Sequence, residues 1–309
     1  MDAPDDALVL YSGAALAFGT TIRIDVLHGD AGLAAGAIQD ALREVQKVDA
    51  LMSLYQEGSQ VYQLNRDGVL LDPDSQLLHV LHFAQELAAS SGGSFDITVQ
   101  PLWQVFSQAS ARQTLPDADA VLAARARVDW RALAVSPQQV LLSAPGMAIT
   151  LNGVAQGHAV DLALQALGRH GIGHALLDTG EFGAIGRKSK AKPWQLGIGH
   201  PRQHDALLTR LQMDGRAVAT SGDYATYFTP DYVHHHIFDP ATGYSPPELA
   251  SATVVAPKGL WADGLSTAFM AMGADKALAL AAQWPGVDAL LVRKDGVMRS
   301  TPGFAKIQA

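Results

Sequence analysis

Two hydrophobic periodicities alternate along this chain, and their order restricts the fold more than any other feature of the sequence. Residues 20–26 alternate apolar and polar side chains with the period of two that is typical of a half-buried strand. Residues 31–50 then repeat apolar side chains at the spacing of an amphipathic helix. Strands and helices stay intermixed, with several hairpins and few β-α-β units. This order predicts an α+β fold rather than a doubly wound α/β fold.

The same patterns predict the remaining elements. Residues 7–28 are expected to form a strand pair. Further helices are expected at 75–91, 117–129, 154–170 and 260–272. Short strands are expected at 175–179, 194–198, 217–220, 235–238 and 252–255. Hairpins are expected around Pro145-Gly146 and around Lys294-Asp295-Gly296. Residues 51–65 are polar and irregular, and no linker divides the chain.

Composition excludes several classes of function. The 309 residues contain 22 Lys and Arg against 30 Asp and Glu, a formal charge of −8, without a basic block that would neutralise a nucleic acid. The lack of cysteine excludes disulfides, thiolate nucleophiles and thiolate metal sites. No apolar run reaches the roughly 18–20 residues of a transmembrane helix. We therefore expect no nucleic-acid partner and no transmembrane segment. We interpret residues 1–6, which lack signal-peptide features, as a mature start with an added Met.

Two glycine-containing segments are candidates for ligand contact. Residues 91–98 place two glycines beside Ser, Asp and Thr side chains, and glycine lets a backbone approach a ligand closely. Residues 151–157 lead directly into a predicted helix, whose free N–H groups favour an anion. The alternatives are a helix stop for the first segment and a simple strand-to-helix turn for the second. The common dinucleotide and P-loop glycine motifs are missing from the sequence.

Histidines and a carboxylate–hydroxyl pair are further candidates. His234 and His236 would share one face of a strand, where they suit zinc, and the alternative is a single functional His with two surface neighbours. Asp263 and Thr267 lie four residues apart on one face of a predicted helix. Their oxygens suit a hard cation such as Mg²⁺. The alternative for Asp263 is capping of that helix.

The order of the motifs narrows these alternatives. The motifs are Phe18-Gly19-Thr20, Met52-Ser53-Leu54-Tyr55, Gly93–Thr98, Gly153–Asp161, Thr220–Asp223, His236–Gly243 and Ala262–Thr267. This ordered set resembles the ApbE family, the FAD:protein FMN transferases, over about residues 14–300. The resemblance implies a T-fold-like α+β domain over residues 14–305, preceded by an N-terminal extension over residues 1–13.

The family resemblance also implies an activity. Members cleave FAD with Mg²⁺, join the FMN half to a Thr or Ser hydroxyl of an acceptor protein through a phosphoester bond, and release AMP. Some relatives instead hydrolyse FAD to FMN and AMP, and a non-catalytic flavin carrier is a third alternative. The resemblance further implies export to the periplasm and an acceptor flavoprotein, such as a membrane-bound electron-transfer protein of the NosR type.

Site roles follow from the resemblance, residue by residue. FAD contacts are expected from Phe18, Tyr55, Ser94, Phe95, Asp96, Thr150, Gln156, Thr220, Ser221 and Ile237. Metal contacts are expected from the Gly153 carbonyl, Asp263 and Thr267. His236 is the candidate general base for the acceptor hydroxyl, because an imidazole has an unperturbed pKa of about 6.5.

Four residues depart from the family pattern. Phe18 replaces a Met, Gln156 replaces a Lys or Glu, and His158 replaces a Tyr. Glu181 directly follows Gly180, where a second Gly and then an Asp are usual. Phe18 preserves apolar contact, whereas Gln156 removes a charge, which gives the carrier alternative some weight. These departures suggest a divergent subgroup similar to the NosX accessory flavinyltransferases of nitrous oxide reductase.

Overall fold

The computed structural model describes residues 8–189 and 192–308. Within them, the α-helices are α1 (Ala31–Met52), α2 (Gln60–Asp67), α3 (Ser75–Ser90), α4 (Gln100–Ser110), α5 (Ala118–Arg125), α6 (Ala155–Arg169), α7 (Gly259–Met272), α8 (Ala274–Ala281) and α9 (Phe304–Ile307). The strands are β1 (Val9–Ala17), β2 (Thr20–His28), β3 (Val69–Leu71), β4 (Leu133–Val135), β5 (Gln139–Leu142), β6 (Ala175–Asp178), β7 (Phe182–Ile185), β8 (Gln195–His200), β9 (Gln203–Gln212), β10 (Ala217–Gly222), β11 (Leu249–Ala256), β12 (Asp288–Arg293) and β13 (Met298–Ser300).

An eight-stranded sheet organises the molecule, in the order β1-β2-β6-β7-β10-β11-β12-β13. Every neighbouring pair in it runs antiparallel. Antiparallel neighbours can be joined by tight hairpins, as β1–β2 and β12–β13 are, whereas parallel neighbours need a crossover helix. The sheet therefore confirms the predicted α+β fold. Two small sheets, β3-β5-β4 and β8-β9, complete the described strands.

Helix α1 packs against the β1–β2 hairpin and against α6. Asp30 begins the helix, because its side chain accepts a hydrogen bond from the Leu33 N–H at 3.0 Å. The buried side chains of α1 recur every three or four residues and are Ala34, Ala37, Ile38, Ala41, Val45, Val48 and Met52. This apolar stripe joins the main hydrophobic core, so the predicted amphipathic helix is confirmed, although Leu33 of the predicted stripe is exposed.

Helices α6 and α7 cross in close contact over the sheet, and glycine makes this possible. A Cβ at Gly157 would lie 2.2 Å from the Gly259 carbonyl oxygen and 2.6 Å from the Asp263 Cβ. The Asp161 side chain accepts hydrogen bonds from the Gly259 N–H at 2.6 Å and the Leu260 N–H at 3.0 Å, so it caps the start of α7. The cap and the close contact at Gly157 together fix the position of α7 relative to α6, and with it the positions of the polar side chains of α7.

The predicted hairpin around Pro145-Gly146 is wrong. β5 pairs with β3 and β4, and the chain that follows Gly146 forms no strand. The Asn65 amide replaces a strand partner there: it accepts from the Ile149 N–H at 2.7 Å and donates to the Ile149 carbonyl at 2.8 Å. A distant side chain thus satisfies backbone groups that the sequence pattern assigned to a hairpin.

Two other local predictions are also wrong. Part of the segment 51–65 is helical, because the Ser59 hydroxyl caps α2 by accepting from the Val61 N–H at 3.2 Å. Residues 235–238 form no strand, and His235 makes only an isolated bridge with Tyr227. The His235 N–H donates instead to the Ser245 Oγ at 2.8 Å, which removes it from any ladder. The sequence patterns did not predict the strands β3, β4, β7 and β9 or the helices α4, α8 and α9.

The predicted N-terminal extension overlaps the first hairpin. Residues 9–13 belong to β1 and pair with β2. Residues 1–7 lie outside the described residues. The boundary between an extension and the domain stays a prediction.

Candidate functional site

One large cavity brings the candidate residues together. Its volume is about 570 Å³, within the usual range for a small-molecule or cofactor site. All fourteen residues proposed from the sequence lie in its lining: Phe18, Tyr55, Ser94, Phe95, Asp96, Thr150, Gly153, Gln156, Thr220, Ser221, His236, Ile237, Asp263 and Thr267. They come from the β1–β2 turn, the chain after α1, the loop before α4, the start of α6, β10, the β10–β11 loop and α7. Their individual roles stay predictions.

Asp263, Thr267 and the backbone of Gly153 lie together in the cavity lining, and we call this group the oxygen corner because its atoms of interest are oxygens that could bind a cation. The Asp263 side chain is buried, and its Oδ2 accepts a hydrogen bond from the Gly157 N–H at 2.9 Å. A Cβ added at Gly153 would lie 2.8 Å from the Thr267 Oγ1, so only glycine lets the backbone come this close to the hydroxyl. A carboxylate, a hydroxyl and a backbone carbonyl are ligands that suit Mg²⁺. The donor set therefore fits a hard divalent cation.

The histidine triplet offers no comparable metal site. Among the described residues, no group of three His, Cys, Asp or Glu side chains is arranged to hold a metal ion. His235 is fully buried, and its N–H and carbonyl both bond to the Ser245 hydroxyl. A zinc site at His234 and His236 would therefore have no third protein ligand among the described residues.

One ring nitrogen of His236 has no hydrogen-bond partner among the described residues. Its Nδ1 lies 3.0 Å from the Thr226 carbonyl oxygen. A carbonyl only accepts, so Nδ1 carries the hydrogen and Nε2 of the neutral ring keeps its lone pair. Burial lowers the pKa of His236 below its ordinary value. The side chain is therefore a neutral base at pH 7, in the lining of the cavity.

Glu181 is a cavity residue that the sequence marked only as a departure from the family pattern. It is the last residue of the turn before β7 and lines the cavity, and its Oε2 accepts from the Thr220 N–H at 3.3 Å. Burial and the nearby Asp263 carboxylate raise the pKa of Glu181 well above its ordinary value. Burial also raises the pKa of Asp263 to about 7. The sequence did contain one signal for Glu181 as a site residue: it is an acidic residue directly after a glycine, Gly180, near the end of a predicted strand.

The lining is acidic. It contains the four carboxylates Asp49, Asp96, Glu181 and Asp263, and the described lining residues include neither Lys nor Arg. An anionic ligand in this cavity therefore has backbone N–H groups, hydroxyls and an imidazole to meet it, but no fixed cation. A divalent cation at the oxygen corner would neutralise both the carboxylates and such a ligand.

Asp96 already has hydrogen-bond partners within the protein. Its Oδ1 accepts from the Thr98 N–H at 2.8 Å and from the Thr98 hydroxyl at 2.6 Å, and its Oδ2 accepts from the Trp130 N–H at 3.0 Å. These bonds hold the loop that carries Ser94 and Phe95 against the cavity. Burial raises the pKa of Asp96 in spite of them.

Two of the sequence departures have structural explanations. The Gln156 Nε2 donates to the Thr179 carbonyl at 2.6 Å, which ties the start of α6 to the turn before Glu181. His158 lies outside the cavity lining and is buried, with its Nε2 donating to the Gln76 Oε1 at 2.9 Å. Burial lowers the pKa of His158 to about 4, so the ring is neutral. His158 therefore fills with a buried, neutral aromatic ring the position at which the family pattern has a Tyr.

Phe18 is held in a strained turn. Phe18 and Gly19 both have positive φ, +53° and +72°, as the two central residues of a type I′ hairpin turn do. A bulky residue seldom adopts this conformation. The turn places Phe18 in the cavity lining, and Tyr55, which is 72% exposed, lines the same cavity. Strain at a cavity wall is common where a ligand is bound.

The fold and the cavity are those of an enzyme that binds its ligand in an acidic pocket. The pocket combines side chains that suit a hard cation with a neutral imidazole. The chain belongs to the ApbE family, whose family model matches residues 18–291. It is 30% identical over 318 aligned residues to the FAD:protein FMN transferase of Treponema pallidum, covering 95% of this chain and 87% of that protein.

Solved structures agree with this assignment. The ApbE protein of Thermotoga maritima matches with a TM-score of 0.87 and 27% identity, over 97% of this chain and 100% of that one. The apo form of the flavinyl transferase ApbE of Pseudomonas stutzeri matches with a TM-score of 0.83 and 29% identity, over 97% of each chain. The predicted family and fold are confirmed.

Proposed function

We propose that this chain transfers FMN from FAD to a Thr or Ser hydroxyl of an acceptor protein, with release of AMP. The names of the relatives support FAD as the donor and a protein as the acceptor. The observation that carries the proposal is the meeting, in one cavity, of the oxygen corner at α7 with the free Nε2 of His236. A carrier would need neither the cation ligands nor a base.

The residues that would hold Mg²⁺ are Asp263, Thr267 and the Gly153 carbonyl. The acidic lining supports this choice, because the described residues there supply no Lys or Arg to offset the charge of a pyrophosphate. Bound there, Mg²⁺ would neutralise phosphate oxygens and so favour displacement at phosphorus. The hydrogen bond from the Gly157 N–H holds one Asp263 oxygen and orients the carboxylate.

The transfer is a displacement at one phosphorus atom. The acceptor hydroxyl oxygen forms a bond to the phosphorus of the FMN half, and the bond from that phosphorus to the bridging oxygen breaks. AMP leaves with the bridging oxygen and its electron pair. The Nε2 of His236 accepts the proton of the attacking hydroxyl, since its lone pair is free and the ring is neutral.

The remaining lining residues bind and orient the donor. Phe18 and Tyr55 provide apolar and aromatic surface for the flavin ring. Ser94, Thr150 and Thr220 provide hydroxyls. Gly153 and Gln156 provide backbone N–H groups at the start of α6, whereas those of Val154 and Ala155 already donate to the Leu151 carbonyl. Enclosure of the donor in a cavity of this size limits the access of water, which would otherwise compete with the acceptor hydroxyl.

The acceptor and its location complete the proposal. The family resemblance favours a periplasmic enzyme of the NosX type, with a membrane-bound electron-transfer protein of the NosR type as acceptor. Among the described residues, no helix combines enough length and apolarity to cross a membrane. Fractionation of the native organism checks the location, and a cytoplasmic enzyme would contradict it.

Mass spectrometry of an acceptor tests the activity. The protein is mixed with FAD, Mg²⁺ and an acceptor domain that carries a flavinylation segment, and we expect the acceptor to gain the mass of one FMN. Asp263→Ala should abolish this gain. Free FMN and AMP without modified acceptor would instead indicate a hydrolase, and intact bound FAD would indicate a carrier.

A further inference from the structure

Three hydroxyl groups meet at the oxygen corner, and they come from different elements. Ser221 lies in β10, and Ser266 and Thr267 lie in α7. The Ser221 Oγ is 2.8 Å from the Ser266 Oγ and 3.1 Å from the Thr267 Oγ1. The Ser266 Oγ is also 2.8 Å from the Asp263 carbonyl oxygen. Strand and helix are thus joined through a continuous chain of hydrogen bonds.

The direction of each hydrogen bond follows from the carbonyl at the end of the chain. A carbonyl only accepts, so the single hydrogen of Ser266 is donated to Asp263. Ser266 must then accept the hydrogen of Ser221, whose own hydroxyl has only that one to give. Ser221 is left as the acceptor for the hydrogen of Thr267. The order of donation is Thr267, Ser221, Ser266 and finally Asp263.

The consequence concerns the Thr267 oxygen. Its only hydrogen is directed toward β10, and its remaining lone pair is available on the side of the cavity that Thr267 lines. A threonine in a helix can instead donate its hydroxyl hydrogen to the carbonyl one turn earlier. In this helix Ser266, and not Thr267, bonds back to the Asp263 carbonyl.

We infer that Ser221 and Ser266 are positioning residues that turn the Thr267 hydroxyl hydrogen away from the cavity, so that its oxygen accepts a divalent cation. The inference rests on the cation site of the proposed function. Ser266 is completely buried and lies outside the cavity lining, so it acts only through its neighbours. Its hydrogen bond to the Asp263 carbonyl fixes the direction of donation, and its effect on Thr267 passes through Ser221.

Removing one hydroxyl should reverse the arrangement. In Ser266→Ala, the Ser221 hydrogen loses its acceptor and can be donated to Thr267, whose own hydrogen then competes with the cation for the cavity side. In Ser221→Ala, the Thr267 hydrogen has no partner in the strand. Groups that orient a metal ligand typically change metal affinity by about 10–100-fold. We expect Mn²⁺ to bind about tenfold more weakly to each variant.

Titration of the full chain with Mn²⁺, with free Mn²⁺ measured by electron paramagnetic resonance, tests the inference without FAD or an acceptor. Ser221→Thr keeps the hydroxyl and should retain wild-type affinity. The double variant Ser221→Ala/Ser266→Ala should bind no more weakly than Ser221→Ala alone, because Ser266 acts through Ser221. Thr253→Val is the matched control: it removes the buried Thr220–Thr253 hydroxyl pair, 2.9 Å apart, and should leave Mn²⁺ affinity unchanged.

The outcomes separate this inference from the cation site itself. If Asp263→Ala abolishes Mn²⁺ binding while Ser266→Ala and Ser221→Ala bind as wild type does, the inference is overturned and the site stands. If Asp263→Ala leaves the affinity unchanged, both are overturned. Circular dichroism verifies the folding of each variant, and should Ser266→Ala fail to fold, the Ser221→Ala and Ser221→Thr pair decides the question.

Discussion

The backbone N–H of Gly157 donates a hydrogen bond to the Oδ2 of Asp263 at 2.9 Å, across 106 residues of sequence. The bond joins the first turn of α6 to α7 and is buried. It leaves the second carboxylate oxygen of Asp263, a cavity residue, without a hydrogen bond among the described residues. The contact between two helices thus decides the orientation of the proposed cation ligand.

Gly157→Ala should disrupt this contact. The added methyl group would meet the Gly259 carbonyl oxygen and the Asp263 Cβ, so the helices must separate. Overpacking of this kind costs about 1–3 kcal/mol, and we expect Mn²⁺ affinity to fall as well. Gly168→Ala in the same helix is the control, since a Cβ there meets nothing within 4 Å. It should raise the free energy of unfolding by about 0.5–1 kcal/mol. Urea unfolding measures both, and equal effects would contradict the prediction.

Asp263 should make a contribution to the stability of the cation-free protein that falls as pH rises from 3.8 to about 7. Burial raises the pKa of Asp263 from 3.8 to about 7, so over this range the folded chain keeps a proton that the unfolded chain releases. The raised pKa of Glu181 acts in the same direction. We expect Asp263→Asn to reduce this dependence in urea unfolding with EDTA at pH 5 and pH 7.5. Mg²⁺ at pH 7.5 should stabilise the wild type and not the variant, and an identical pH dependence in both would refute the assignment.

His236→Ala should slow transfer by about 10²–10⁴-fold, the usual contribution of a general base, while FAD still binds. Burial lowers the pKa of His236 below its ordinary value of 6.5. With saturating Mg²⁺, the wild-type rate should therefore begin to fall only below pH 6.5. His82→Gln, an exposed histidine on α3, is the control and should leave the rate unchanged. Full transfer by His236→Ala would show that another group accepts the proton.

Arg202→Ala should destabilise the loop that carries His236. The fully buried carboxylate of Asp223 accepts two hydrogen bonds from Arg202, each 2.7 Å long, and lies 3.5 Å from Lys294. Removing one partner of a buried ion pair costs about 3–5 kcal/mol of unfolding free energy. We expect a loss near the lower end of this range, because Lys294 remains beside the Asp223 carboxylate in the variant. Arg43→Ala, which removes an exposed ion pair with Asp40, should cost less than about 1 kcal/mol. Urea unfolding of both variants checks the difference.

Phe18→Asn should weaken FAD binding several-fold with little change in stability. Asparagine tolerates the positive φ at this turn better than phenylalanine does, and the relieved strain offsets the lost packing of the ring. The expected change in unfolding free energy is less than about 1 kcal/mol. Gln113→Asn is the control, because Gln113 has a positive φ on an exposed turn away from the cavity. It should raise the free energy of unfolding and leave the FAD affinity unchanged. Unchanged FAD affinity in Phe18→Asn would remove Phe18 from the binding site.

Local patterns predicted those elements that are stabilised by their own repeat. The alternation in 20–26 and the apolar stripe of 31–50 correspond to β2 and α1, because burial on one face selects one period. The predictions around Pro145-Gly146 and at 235–238 were wrong, since the side chains of Asn65 and Ser245 satisfy the backbone there. Such long-range partners leave no periodic signal.

The sequence by itself determined the α+β class, the family and fourteen of the residues that line the cavity, because motif order and residue type are properties of the chain. Only the tertiary structure placed Glu181 beside Asp263, freed the Nε2 of His236 and linked Thr267 to Ser221 and Ser266. Each of these depends on burial or on a bond of about 3 Å between distant segments. Spacing along the chain carries no information on either.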